Sequence, residues 1–242
     1  MIGKIKTLGM TLAAVLVLAS VAAAAAQAGE LELGAQPATI TAHNEVGLEH
    51  VFGIETKKKE VLASTCATAT YEGTTQGQKI NELTLTATYG TGKGNPAEIQ
   101  NCILGGLKEQ VLLNGCKYTV TGAGQAASTF LVDITGCTEG KGIEFKTAIC
   151  TVDVPEQNGL SHLIGKQLSA QEATFETTLN KIKTLQTGAG CPDGNNFEGV
   201  NGALVGNTIF TAYKDAGTKQ VTLHQHQYTE HLCGTQVSLT VK

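Results

Sequence analysis

The chain has 242 residues, of which 16% are charged and 41% hydrophobic, with 29 glycines, seven cysteines and no tryptophan; its formal net charge is −4. It contains no arginine, and lysines cluster only at Lys57-Lys58-Lys59. The basic surface and guanidinium forks that hold phosphate backbones are therefore missing, which makes nucleic acid a poor partner.

At the N-terminus, Lys4 and Lys6 precede an uncharged, alanine-rich run from Thr7 to Ala26. Ala26-Gln27-Ala28 then places small residues where a signal peptidase reads, just ahead of Gly29-Glu30. This order predicts a cleavable secretory signal over residues 1–28. The run also has the roughly 20 residues of a retained anchor, but alanine contributes little transfer energy. No later stretch approaches that length, so residues 29–242 are expected not to stay inserted in a membrane after cleavage. Lys4 and Lys6 are two of the 17 lysines, so the 15 that remain face 21 carboxylates, a net charge of −6.

Beyond Gly29 the pattern is β almost throughout. Period-two alternation predicts strands at Ala38–Ala42, Leu48–Glu55, Val61–Tyr71, Glu82–Tyr89, Glu109–Leu113, Lys117–Thr121 and Thr129–Thr135. It continues at Gly142–Ala148, Cys150–Val154, Ala173–Leu179, Lys181–Gln186, Asn207–Tyr213, Lys219–His226 and Gln236–Val241. Lys57-Lys58-Lys59 is expected in a solvated turn, and Asn114-Gly115, Asn158-Gly159, Asp193-Gly194 and Asn201-Gly202 favour tight turns. Only Leu160–Glu172 offers a turn or two of helix. Strands at this spacing without helical periodicity predict an all-β fold, an antiparallel sandwich or barrel. A single domain over 29–242 is expected, with 155–159 the best internal boundary if there are two.

All seven cysteines lie in this part, and outside the cytosol dispersed cysteines read first as disulfides. Val61-Leu62-Ala63-Ser64-Thr65-Cys66 is followed by Leu83-Thr84-Leu85-Thr86-Ala87-Thr88-Tyr89, Cys102, Asn114-Gly115-Cys116-Lys117-Tyr118, Val132-Asp133-Ile134-Thr135-Gly136-Cys137 and Cys150-Thr151-Val152-Asp153-Val154-Pro155-Glu156-Gln157. This series resembles a group of uncharacterised secreted β-rich proteins numerous in some actinobacteria. The likeness runs from about Leu48 to Tyr213. It implies export, β structure and a shared cysteine framework, and it brings no activity or functional residue.

A hairpin of Lys117–Thr121 with Thr129–Thr135, centred near Gln125-Ala126, sets Cys116 almost opposite Cys137, where a bridge is feasible. Cys66 with Cys102, then Cys150 with Cys191, are the next candidate pairs. Cys233 is left over and permits a disulfide-linked dimer.

The C-terminal run from His224 to Cys233 is the one cluster with a chemical reading. His224 and His226 share a strand face. A turn at Thr229-Glu230 would bring Cys233 opposite His226 and His231 opposite Tyr228. Imidazoles with a thiolate suit zinc or copper, so His224, His226, His231 and Cys233 form a candidate metal- or redox-active site. The alternative is an edge hairpin with solvated histidines.

Hydrolase signals are poor. No Gly-x-Ser-x-Gly elbow occurs, Ser161 and His162 would face opposite sides of a strand, and Asp133 and Asp153 look like ordinary outward positions. Tyr71, Tyr89, Tyr118, Phe130, Phe145 and Phe210 fit core or strand-end packing. The leading expectation is an exported, non-catalytic β-domain with a structural or interaction role at the cell envelope or outside it. The metal- or redox-active protein is the alternative, and a secreted hydrolase with a site assembled from distant loops is the weakest.

Overall fold

A computed structural model describes residues 29–45, 47–90, 101–123, 128–214, 219–224, 227–232 and 234–242. The expected signal segment lies outside them. The described residues form antiparallel strands and no helix. The first are β1 (Leu31–Leu33), β2 (Ala38–Asn44), β3 (His50–Glu55), β4 (Val61–Cys66), β5 (Thr68–Thr75) and β6 (Lys79–Ile80). There follow β7 (Glu82–Gly90), β8 (Asn101–Leu104), β9 (Leu107–Leu112), β10 (Lys117–Gly122), β11 (Thr129–Thr135), β12 (Ile143–Lys146) and β13 (Thr151–Val154). The rest are β14 (Gln157–Gln167), β15 (Glu172–Thr187), β16 (Phe197–Lys214), β17 (Lys219–His224), β18 (Gln227–Leu232), β19 (Thr235–Val237) and β20 (Leu239–Val241).

The main sheet closes on itself twice. One ring runs β16-β2-β5-β7-β10-β11-β14-β15 and returns to β16; the other runs β16-β3-β4-β8-β9-β12-β13-β15 and returns to β16. Both share the long β15–β16 hairpin. Glu172–Leu179 pairs with Leu204–Thr211 in the first ring, and Thr184–Gln186 pairs with Phe197–Gly199 in the second. On its other side β16 pairs with β3 through Gly202–Val205 and with β2 through Thr208–Tyr213. Eight strands make a ring whose inside is just filled by side chains. Phe130, Phe175 and Phe210 stack through the first, at centroid distances of 5.4 and 4.4 Å, and Phe52 stacks on Phe145 at 4.6 Å in the second. The buried residues of both belong to one continuous core. A small sheet, β20-β1-β6, buries Leu31, Leu33, Ile80 and Leu239.

Alternation located most strands, with corrections. The expected run Val61–Tyr71 breaks at Ala67 into β4 and β5, and Ala173–Gln186 is one strand with a bulge at Lys181. Leu160–Glu172 holds no helical turn: β14 continues to Gln167, whose side-chain amide donates to the carbonyls of Ser169, Glu172 (3.1 Å) and Leu239 (2.6 Å). The β13–β15 and β11–β14 ladders both reach across residues 155–159. Asn201-Gly202 lies inside β16 instead of turning. Gly202 is needed there because a Cβ would stand 2.9 Å from the Ile182 carbonyl.

Three bridges brace the rings. Cys116–Cys137 joins the open end of the β10–β11 hairpin, Cys66–Cys102 ties β4 to β8, and Cys150–Cys191 ties the start of β13 to the loop after β15. Lys117 pairs with Thr135, so that hairpin has the expected centre, although residues 124–127 are outside those described. Cys233 is also outside them.

Candidate functional site

The C-terminal hairpin turns elsewhere than expected. His224 pairs with Gln227, Thr222 with Thr229 and His231 with Gln220, so Thr229-Glu230 lies within β18 and not at a turn. His224 and His231 then stand four residues apart along the ladder, about 13 Å between their backbone positions. His226 and Cys233 lie outside the described residues. Among the described residues no group of three His, Cys, Asp or Glu side chains is placed to hold a metal ion.

The expected carboxylate positions serve the backbone. Gly159 N–H donates to Asp133 Oδ1 at 2.6 Å, and Gly142 N–H donates to Asp153 Oδ1 at 2.9 Å. Asp133 lies on β11 in one ring and Asp153 on β13 in the other, so they do not form a facing pair. Ser161 pairs across to Leu131 on an exposed stretch of β14.

The polar chemistry of the molecule instead collects at the waist, where the rings meet. His50, the first residue of β3, is 3% exposed. Its Nδ1 is 3.0 Å from Tyr71 Oη, which is 3.3 Å from Tyr89 Oη; Tyr89 donates to Tyr118 Oη at 2.8 Å. On the other edge of the ring, Nε2 is 3.2 Å from Thr208 Oγ1 and 3.4 Å from the Asn207 carbonyl. With Tyr89 donating onward, one direction satisfies the chain: His50 Nδ1–H to Tyr71, Tyr71 to Tyr89, and the Thr208 hydroxyl to Nε2. That requires a neutral imidazole. Burial in the core holds His50 down at about 4, and it pushes all three tyrosines up.

A second buried group lies in the second ring. Glu109 is 1% exposed, its Oε2 accepts from Ser64 Oγ at 2.6 Å, and Oε1 has no hydrogen-bond partner. Desolvation raises its carboxyl to about 7. Neither His50 nor Glu109 was singled out from sequence. The signal was strand parity: His50 alternates with Phe52 and Ile54, and Glu109 with Val111, so both belong to the inward face.

Among the described residues these groups are closely surrounded. The cavities beside them measure about 20 and about 40 Å³, space for a water or a few. The open space is outside the waist. Two surface depressions of about 570 and about 520 Å³ adjoin along Val205, Gly206 and Asn207 of β16. Gly206 separates them from the core, with a virtual Cβ 2.6 Å from the His50 ring. The outer wall carries the exposed apolar side chains of Leu48, Ile164 and Val205. Asn44 fastens the 45–49 loop, donating from Nδ2 to Leu48 O (2.7 Å) and Ala67 O (3.0 Å), while Asn207 Nδ2 donates to Glu45 Oε2 at 3.2 Å.

The chain was compared with family models, curated proteins and solved structures, and none matches it.

Proposed function

We propose that this chain is an exported, non-catalytic β-protein with a structural or interaction role at the cell envelope or outside the cell, meeting its partners on the outer surface of the double ring. The observation that carries this reading is the filled interior among the described residues: the cavities beside the buried polar groups measure about 20 and about 40 Å³, space for a water or a few, with depressions an order larger outside. The buried histidine and tyrosines bond to one another and the glutamate bonds to Ser64, and so they act as framework. Export is supported by the signal-like N-terminus, by the resemblance noted in the sequence and by six cysteines joined in bridges.

The test is biochemical fractionation. Protein from the exported fraction is expected to begin near Gly29, to resist alkylation at six cysteines until reduced, and to turn over nothing in a broad hydrolase screen. Photo-cross-linkers on its outer strands should join it to an envelope component on intact cells. An intact N-terminus on cytosolic material with open thiols would overturn the reading, as would turnover of any substrate in the screen.

A further inference from the structure

The two depressions at the waist form one groove that crosses the strands. Ile164, Glu176 and Asn207 make a single ladder row over β14, β15 and β16, and the 45–49 loop with Leu48 and Glu49 continues beyond it. Three strand spacings of about 5 Å give a length of roughly 15 Å, the reach of four or five residues of extended chain. Its floor is fastened on both sides, Thr208 donating inward to His50 Nε2 at 3.2 Å and Asn207 Nδ2 donating outward to Glu45 Oε2 at 3.2 Å. Leu48 is 45%, Val205 40% and Ile164 38% exposed, and the three line the two adjoining depressions.

Charge selects the occupant. Among the described residues lining the groove, the ionisable side chains are the carboxylates Glu49 and Glu176. Glu176 Oε2 accepts from Lys166 Nζ at 2.8 Å, an exposed pair that an incoming ammonium can replace. Acidic walls around apolar pads suit a ligand that alternates cationic and aliphatic side chains and repel an acidic one. We propose that this groove binds an extended polypeptide segment with lysine and aliphatic side chains, the ammonium groups meeting Glu49 and Glu176 and the aliphatic groups meeting Leu48, Val205 and Ile164. This rests on the interaction role proposed above and names the surface and the partner class.

The test uses residues 29–242 with all bridges intact and two fluorescein-labelled peptides, Lys-Leu-Val-Lys-Leu and Glu-Leu-Val-Glu-Leu. By fluorescence anisotropy the lysine peptide should bind and weaken as salt rises, while the glutamate peptide should not bind. Glu49→Lys with Glu176→Lys should weaken the lysine peptide roughly tenfold, as the loss and reversal of two exposed ion pairs. Lys166→Ala should strengthen it a few-fold by freeing Glu176. All these positions are on the surface, and unchanged circular dichroism will confirm folding. Equal binding of both peptides, no effect of the double variant, or self-association that buries the groove in sedimentation would overturn the assignment. If surface cross-linkers capture an envelope component while the groove variants leave that capture unchanged, the interaction role stands and this surface is the wrong one.

Discussion

His50 and Glu109 are both removed from water in their uncharged forms, and burial moves their titrations in opposite senses. His50 is held at about 4 instead of 6.5, so as the pH falls the unfolded chain takes up this proton first. Its support for the fold is complete above pH 6.5 and is withdrawn as the pH drops to 4. Glu109 is raised from 4.5 to about 7, so the folded protein keeps its proton longer. Its support is complete below pH 4.5 and is lost as the pH rises through 7. Each shift corresponds to about 3 kcal/mol, and between pH 4.5 and 6.5 the two slopes oppose and nearly cancel. Single variants should therefore uncover what the native protein conceals. Relative to native protein, Glu109→Gln should gain stability with rising pH between 4.5 and 7, and His50→Gln should lose stability with rising pH between 4 and 6.5. Urea midpoints measured from pH 4 to 8 will show whether the two difference curves cross in this way. Parallel curves would mean that one of the groups is not buried as described.

Among the elements, the β15–β16 hairpin decides the architecture, because one pair of strands serves both rings. It does so through an irregularity: the register shifts between Leu179 and Ile182, and Lys181 sits at φ +60°. That left-handed conformation suits glycine, tolerates lysine and penalises a β-branched side chain. Lys181 is exposed, so its substitution tests the backbone alone. Lys181→Gly should raise stability by up to about 1 kcal/mol and Lys181→Val should lower it by about as much, read as shifts in Tm. The reverse order would show that the bulge is not where the hairpin bends. The same elements explain what could be read from sequence. β7 alternates buried and exposed residues because it has one core face and one wet face, and β11 behaves similarly, so their pattern is visible. The first half of β16 was hidden by Gly199, Gly202 and Gly206, where neighbouring atoms leave no space for a Cβ. β14 was hidden because Asn158-Gly159 reads as a turn, whereas Asp133 receives the Gly159 amide within the ladder. At the C-terminus Thr229-Glu230 is a weak turn pair, so only pairing itself selects the register. At the waist, parity already aims His50 inward. That it meets Tyr71, Tyr89 and Tyr118 depends on β3, β5, β7 and β10 closing into different rings, which no local pattern records.

At the scale of the whole molecule, two closed rings invite the expectation of two units that unfold separately, and their shared parts argue against it. Neither ring closes without β15 and β16, so melting one removes two walls of the other. The buried side chains form one cluster, and the tyrosine chain from His50 begins on a strand of the second ring and ends on strands of the first. Near-ultraviolet signals from Tyr71, Tyr89 and Tyr118 therefore report the junction, and far-ultraviolet signals report both sheets. With the disulfides intact the two should lose amplitude at one midpoint. Phe175→Ala, inside the first ring, and Phe145→Ala, inside the second, should each cost about 3–5 kcal/mol and move that same single transition by roughly 10 °C. If each variant instead shifted only one of two resolved transitions, the hairpin would be a hinge between independent bodies. The groove at the waist would then change shape as they moved. A single transition leaves its floor as rigid as the core behind it, since opening the groove would require breaking both rings.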